Sequence, residues 1–214
     1  PFSLEQLDNF GRTIELFPDM SSMIKIEEHS RGFIATRAIG AGIQNVLFAD
    51  CRSANDVREC IRLVKPETPE AGGTHSVSDR RNVGYFLESG SEQWAKAMNE
   101  VVIAIMIEKK GAMDNLEEIL SIKGIDMVQF GGFDYAVSIG NPGRGNSPEI
   151  QNVQLKMIQL ALKNGVAPRV ELTSLEQAKP YIEMGVRHFC VGWDYFTIYQ
   201  WCQQQKKALE NFNI

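Results

Sequence analysis

The feature that most constrains this chain is an alternation. A short apolar run, a polar turn and a segment with apolar residues at helical spacing follow one another repeatedly. Candidate strands are Met23–Ile26, Asn45–Ala49, Val101–Ile107, Met127–Phe130, Ala167–Leu172 and Phe189–Gly192. They are nearly continuous apolar runs, which predicts strands buried on both faces of a parallel sheet. Helices are expected between them. Leu4–Leu16 carries apolar residues at three- and four-residue steps, and Ser3-Leu4-Glu5-Gln6 is a capping box in front of it. Ser53–Leu63, Ser91–Glu100 and Met113–Leu120 follow the same logic. Ser147-Pro148 opens a long helix that ends at Asn164-Gly165, and Thr173-Ser174-Leu175-Glu176 reads as a second capping box. The tail, Phe196 to Asn211, is amphipathic and rich in Gln and Lys.

Six strand–helix alternations mean parallel β/α units, as in a doubly wound sheet or a TIM-type (β/α)8 barrel. No GxGxxG opens a helix, which weakens a dinucleotide-binding fold. The expectation is α/β: one (β/α)8 barrel domain over residues 1–214, lacking its first two β/α units. The chain opens at Pro1 without a Met, almost inside a helix cap, which predicts a longer natural chain.

Composition excludes several functions. The net charge of −5 argues against a nucleic-acid backbone as partner. No apolar run approaches the ~20 residues needed to cross a bilayer. Cys51, Cys60, Cys190 and Cys202 form no CxxC pair and read as reduced thiols of a cytoplasmic protein.

In a (β/α)8 barrel the chemistry sits at the C-terminal ends of the strands. Here those ends carry Lys25 and Glu27, then Asp50, Glu108, Asp134, Glu171 and Asp194. An acidic rim with oxygen ligands suits a hard divalent ion, Mg²⁺ or Mn²⁺. Glu108 ends the strongest strand. Asp134 follows Gly131-Gly132-Phe133, where the glycines permit a tight turn and free amides for an anionic ligand. The loop Pro66–Arg81 is the longest uncovered segment, and His75, Arg80 and Arg81 in it are candidate substrate ligands, the arginines for carboxylates.

At Glu108 and Asp134 the residues become familiar. Ile107-Glu108, a helix, then Gly124-Ile125-Asp126-Met127-Val128-Gln129-Phe130-Gly131-Gly132-Phe133-Asp134-Tyr135 resembles the HpcH/HpaI aldolase family, metal-dependent class II pyruvate aldolases related to the citrate lyase β subunit. The family pattern runs I-E-[ST], then G-[IV]-D, then G-P-x-D. The likeness continues through Ser147-Pro148-Glu149, Ala167-Pro168 and Gly192-Trp193-Asp194. The resemblance implies Glu108 and Asp134 as metal ligands, the amides of Phe133 and Asp134 as receivers of the pyruvate carboxylate, and a homo-oligomer, hexameric in the family. Lys25 falls near the family's catalytic arginine, and a lysine lacks the bidentate fork. Gly132 replaces the proline of G-P-x-D. The Gly72-Gly73-Thr74-His75 loop lacks the family's arginine, and the general-base histidine falls just before Pro1.

The expected activity is therefore a carbon–carbon lyase acting on a 2-oxo acid and an aldehyde, with Lys25 supplying positive charge to the enolate. Glu171 at the substrate rim would repel an acidic acceptor and select a hydroxyl-bearing aldehyde. Two alternatives remain at this point. One is a condensing synthase on the same barrel, with Arg80 and Arg81 holding extra carboxylates. The other is an inactive relative that only binds a 2-oxo acid.

Overall fold

In the computed structural model, six parallel strands lie in chain order, each hydrogen-bonded to the next. The structure describes residues 3–78 and 80–212; Pro1, Phe2, Asp79, Asn213 and Ile214 lie outside it. The strands are β1 (Met23–Ile26), β2 (Asn45–Phe48), β3 (Ile103–Ile107), β4 (Met127–Phe130), β5 (Ala167–Leu172) and β6 (His188–Val191). Helices α1 (Leu4–Ile14), α2 (Arg31–Ala41), α3 (Ala54–Val64), α4 (Glu92–Asn99), α5 (Lys110–Asp114), α6 (Leu116–Leu120), α7 (Gly132–Ser138), α8 (Pro148–Lys163), α9 (Lys179–Met184) and α10 (Asp194–Glu210) connect or flank them. Sequential parallel order is that of a TIM-type barrel, here as six of its units.

Local chemistry explains several boundaries. Ser3 and Gln6 exchange both bonds of the capping box: Gln6 N–H donates to Ser3 Oγ at 3.1 Å and Ser3 N–H to Gln6 Oε1 at 2.8 Å. The second expected box does not form. Ser174 is the N-cap without a side-chain cap bond, and Gln177 accepts the N–H of the preceding Thr173 at 2.9 Å. The segment after it starts as a 3₁₀ turn, Leu175–Ala178, before α9. Asn115 divides the expected helix 113–120 into α5 and α6.

The sheet has two unlike faces, because successive side chains alternate across a strand. One face carries Ile24, Ile26, Val46, Phe48, Ile103, Ile105, Ile107, Val128 and Val170, all buried in one core with residues of the helices. Burial of this order, at roughly 25 cal/mol per Å² of apolar surface, holds the helices to the sheet. The other face holds a small cluster, Leu47, Ala49, Ala104 and Met106. Only β3 is buried along its whole length; β1 and β5 alternate, and β6 has no buried residue. The expectation of strands covered on both faces thus holds for β2, β3 and β4 and fails at β1, β5 and β6. The inner face is polar around β1 and β5, and a six-stranded sheet does not enclose it.

No helix among the described residues is long and apolar enough to cross a membrane. All four cysteines are free thiols, with Cys51 and Cys60 Sγ atoms 3.8 Å apart in the core. α10 buries none of its residues, and Ile198, Tyr199 and Trp201 are exposed.

Candidate functional site

Ala104, Met106 and Glu108 lie on the same side of β3 and its extension, at the period-two spacing of a strand. This carries the Glu108 carboxylate to the C-terminal rim of the inner face. Glu108 is 1 % exposed. Its Oε1 accepts the Asp50 N–H at 2.9 Å, while Oε2 is buried with no hydrogen-bond partner among the described residues. Lys25 Nζ, projecting inward from β1, stands 4.0 Å from that oxygen. Burial pushes the Glu108 carboxyl above its ordinary range, against the opposing effects of the Asp50 N–H and Lys25. An orphaned buried carboxylate oxygen is costly, and its presence at a rim needs an explanation.

The next turn is built around that carboxylate. Gly131 follows β4, and a Cβ there would stand 2.7 Å from Glu108 Oε2 and 2.6 Å from its Cβ. Only glycine lets the backbone pass this closely. The chain then enters α7, which places Asp134 in its first turn, on the same rim as Glu108. The first helical N–H groups, Phe133 and Asp134 among them, have no acceptor within the helix. The Phe133 ring is exposed and lies against Gly145.

One residue of the site was not expected. Lys109 Nζ lies 2.8 Å from Asp50 Oδ1 and 3.3 Å from Asp134 Oδ1. Burial works against this ammonium, but Asp50 and Asp134 outweigh it and hold its pKa above the ordinary lysine value. The acidic rim is thus largely paired internally, and the described residues contain no group of three or more metal-ligating side chains. The available signal was the lysine in Ile107-Glu108-Lys109, where the family pattern has Ser or Thr.

Glu171 faces the inner side of β5, where Gln129 Nε2 donates to its Oε1 at 2.8 Å and Arg169 donates to Gln129 Oε1. It also lines a cavity of about 780 Å³ that begins at Gly132 and Phe133. Gln151, Gln154, Gln177 and Trp193 line the same cavity.

The described residues of the loop Pro66–Arg81 do not reach this site. It follows α3 and leads through α4 into β3, so it lies at the N-terminal end of the strands. His75 is buried, its Nδ1 3.1 Å from Leu63 O and its Nε2 3.3 Å from Ser78 Oγ, beside the Trp94 ring. Arg80 is buried against Met98. Arg81 donates to Ala41 O and to Asp8, and its guanidinium lies over Tyr85. The structure does not bring the expected substrate ligands His75, Arg80 and Arg81 to the Glu108–Asp134 rim: their side chains fasten a helix-to-strand connection at the other end of the strands.

A family profile, HpcH/HpaI aldolase/citrate lyase, matches residues 7–200. A 4-hydroxy-2-oxo-heptane-1,7-dioate aldolase of Escherichia coli is 29% identical over 163 residues, 73% of this chain and 58% of that protein. A hydroxypyruvate/pyruvate aldolase of Paraburkholderia phytofirmans is 24% identical over 167 residues, 77% of this chain and 64% of that one. The chain thus spans about 58% of the length of the Escherichia coli relative. Among solved structures, an HpcH/HpaI aldolase/citrate lyase family protein of Burkholderia cenocepacia superimposes with a TM-score of 0.83 at 20% identity, covering 97% of this chain and 81% of that one. The citrate synthase SbnG gives 0.83 at 17% identity, over 99% and 80%. These likenesses carry the fold.

Proposed function

The chain belongs to the HpcH/HpaI aldolase/citrate lyase family, and on that premise we propose that it is part of a metal-dependent carbon–carbon lyase acting on 2-oxo acids. The observation that carries the reading is the buried Glu108 Oε2, without a hydrogen-bond partner, at the rim beside the turn that presents Asp134. Two carboxylates with room for further oxygen ligands fit a hard divalent ion, Mg²⁺ or Mn²⁺. Glu108 and Asp134 would hold it. When bound, such an ion supplies a Lewis acid to the 2-oxo carboxylate.

The Phe133 and Asp134 N–H groups would receive the substrate carboxylate. Lys25 would steady the negative charge that develops on the substrate oxygen, as a point charge rather than a fork. Glu171, with the amide side chains around it, would take an uncharged, hydroxyl-bearing aldehyde and repel an acidic one. In the condensing-synthase alternative Arg80 and Arg81 could hold extra carboxylates; their place at the other end of the strands and the aldolase relatives favour the lyase reading. The exposed apolar residues of α10 support a homo-oligomer, and the free thiols support a cytoplasmic location.

The test is exchange of pyruvate methyl protons with solvent, in the full-length protein with Mg²⁺ or Mn²⁺. Exchange that stops in Glu108→Gln is expected, and Lys25→Ala should lower the exchange rate much more than the metal affinity. Absence of exchange in the unaltered protein would defeat the lyase reading and leave a binding protein.

A further inference from the structure

Lys109 is held in an arrangement that a simple surface lysine does not have. Its side chain is 17% exposed and its ammonium spans two carboxylates, Asp50 and Asp134. Asp134 is the outer of the two carboxylates assigned above to the divalent ion, so that ion and the ammonium need the same group. Asp50 offers Lys109 a second anchor, and the shorter of its two contacts is already with Asp50. If Lys109 leaves Asp134 it therefore keeps a partner, and no partly buried charge is stranded.

Asp50 is positioned for this by its backbone. It adopts φ 58°, one of two non-glycine residues in the left-handed region among those described. That conformation, tolerated best by Asn and Asp among non-glycine residues, turns its N–H onto Glu108 Oε1 while its carboxylate meets Lys109. One residue thus grips the inner carboxylate through its main chain and the competing cation through its side chain.

We infer that Lys109 is an internal competitor for the divalent ion at Asp134, and that Asp50 is the residue that holds Lys109 aside when the ion binds. This rests on the metal reading of Glu108 and Asp134 and adds to it a control of affinity. With Lys109 shared between Asp50 and Asp134, the ion must displace an ion pair before it completes its own contacts. The site is thereby tuned to exchange its metal rather than to retain it.

The experiment is Mn²⁺ binding to the full-length protein, read as free Mn²⁺ by electron paramagnetic resonance, with no turnover needed. Lys109→Met should tighten binding about fivefold, the equivalent of roughly 1 kcal/mol of ion pair. Lys109→Thr, the smaller side chain of the family pattern, should do the same and serves if the Met variant fails to fold. Lys110→Met removes an equal charge one residue further on, from a lysine paired with Asp114, and should change the dissociation constant less than twofold. Asp50→Asn should weaken binding in the unaltered chain, because Lys109 then has only Asp134. The same change in the Lys109→Met background should have little further effect.

Unchanged or weaker binding in both Lys109 variants overturns the inference, as does an equal tightening in Lys110→Met. An Asp50→Asn loss that persists undiminished without Lys109 overturns the part given to Asp50. A protein that binds no Mn²⁺, or whose affinity ignores Glu108→Gln, overturns the metal reading itself and this inference with it.

Discussion

Replacing Glu108 by Gln separates stability from function, because the same atom costs one and serves the other. In the native chain Oε2 is buried without a hydrogen-bond partner, and burial raises the carboxyl's pKa. Leaving a buried polar group unsatisfied costs about 1–3 kcal/mol, more when it is charged. Glutamine keeps the acceptor for the Asp50 N–H and leaves a neutral amide where the charged oxygen was. Without metal, the variant should therefore be more stable at pH 8 by about 1 kcal/mol, or about 2–4 °C in melting temperature for a chain of this size.

The sign with pH follows from linkage. A carboxyl whose folded pKa is raised binds more protons in the folded state than in the unfolded one, so its contribution to stability falls as pH rises above the ordinary glutamate value. The advantage of Glu108→Gln should appear above that value and vanish near pH 4. With Mn²⁺ at a hundredfold excess over its dissociation constant, the native chain should gain about 2.7 kcal/mol and the variant none. Thermal melts at pH 4 and pH 8, with and without Mn²⁺, measure all of this. A variant that is less stable than the native chain at pH 8 without metal, and that still gains stability from Mn²⁺, would refute the reasoning.

His75 makes a second pH prediction. Burial lowers its pKa, so it is neutral in the fold and takes up a proton on unfolding; stability is present above the unfolded value near 6.5 and is lost as pH falls below it. Replacing His75 by Gln should flatten the fall in urea midpoint below pH 6.5, and an unchanged slope would count against a buried neutral imidazole. At Gly11 a Cβ would collide with Ala41 O, so Gly11→Ala should force α1 and α2 apart at a cost of about 3 kcal/mol, seen as a lowered denaturant midpoint; a near-neutral result would show that the helices approach less closely.

The order of elements was legible in the sequence because it rests on local signals. Met23–Ile26, Met127–Phe130 and Ala167–Leu172 form strands over the ranges read from apolar runs, and Ser3, Ser53 and Ser91 cap the helices that follow them. Helix α2 went unread, since Gly32 and Gly40 interrupt a weak apolar pattern; its Ala35, Ala38 and Ile39 become a packed face only against α1, α3 and the sheet. Glu108 and Asp134 were legible because a charge after a buried strand, and an Asp after paired glycines, are unusual in one dimension.

Tertiary structure decided the rest. The loop that carries His75, Arg80 and Arg81 has the composition of a binding loop, and composition does not say at which end of a sheet a segment lies. Its position between a helix and a strand does, once the strands are parallel. Lys109 beside Glu108 reads in sequence as an ordinary exposed charge. It becomes part of the site only because β2, β3 and α7 bring Asp50 and Asp134, which lie 59 positions before it and 25 after it in the chain, to one ammonium. Residue type and spacing thus determine which groups can carry chemistry; strand pairing determines which of them meet, because contacts between distant residues leave no periodic trace in the sequence.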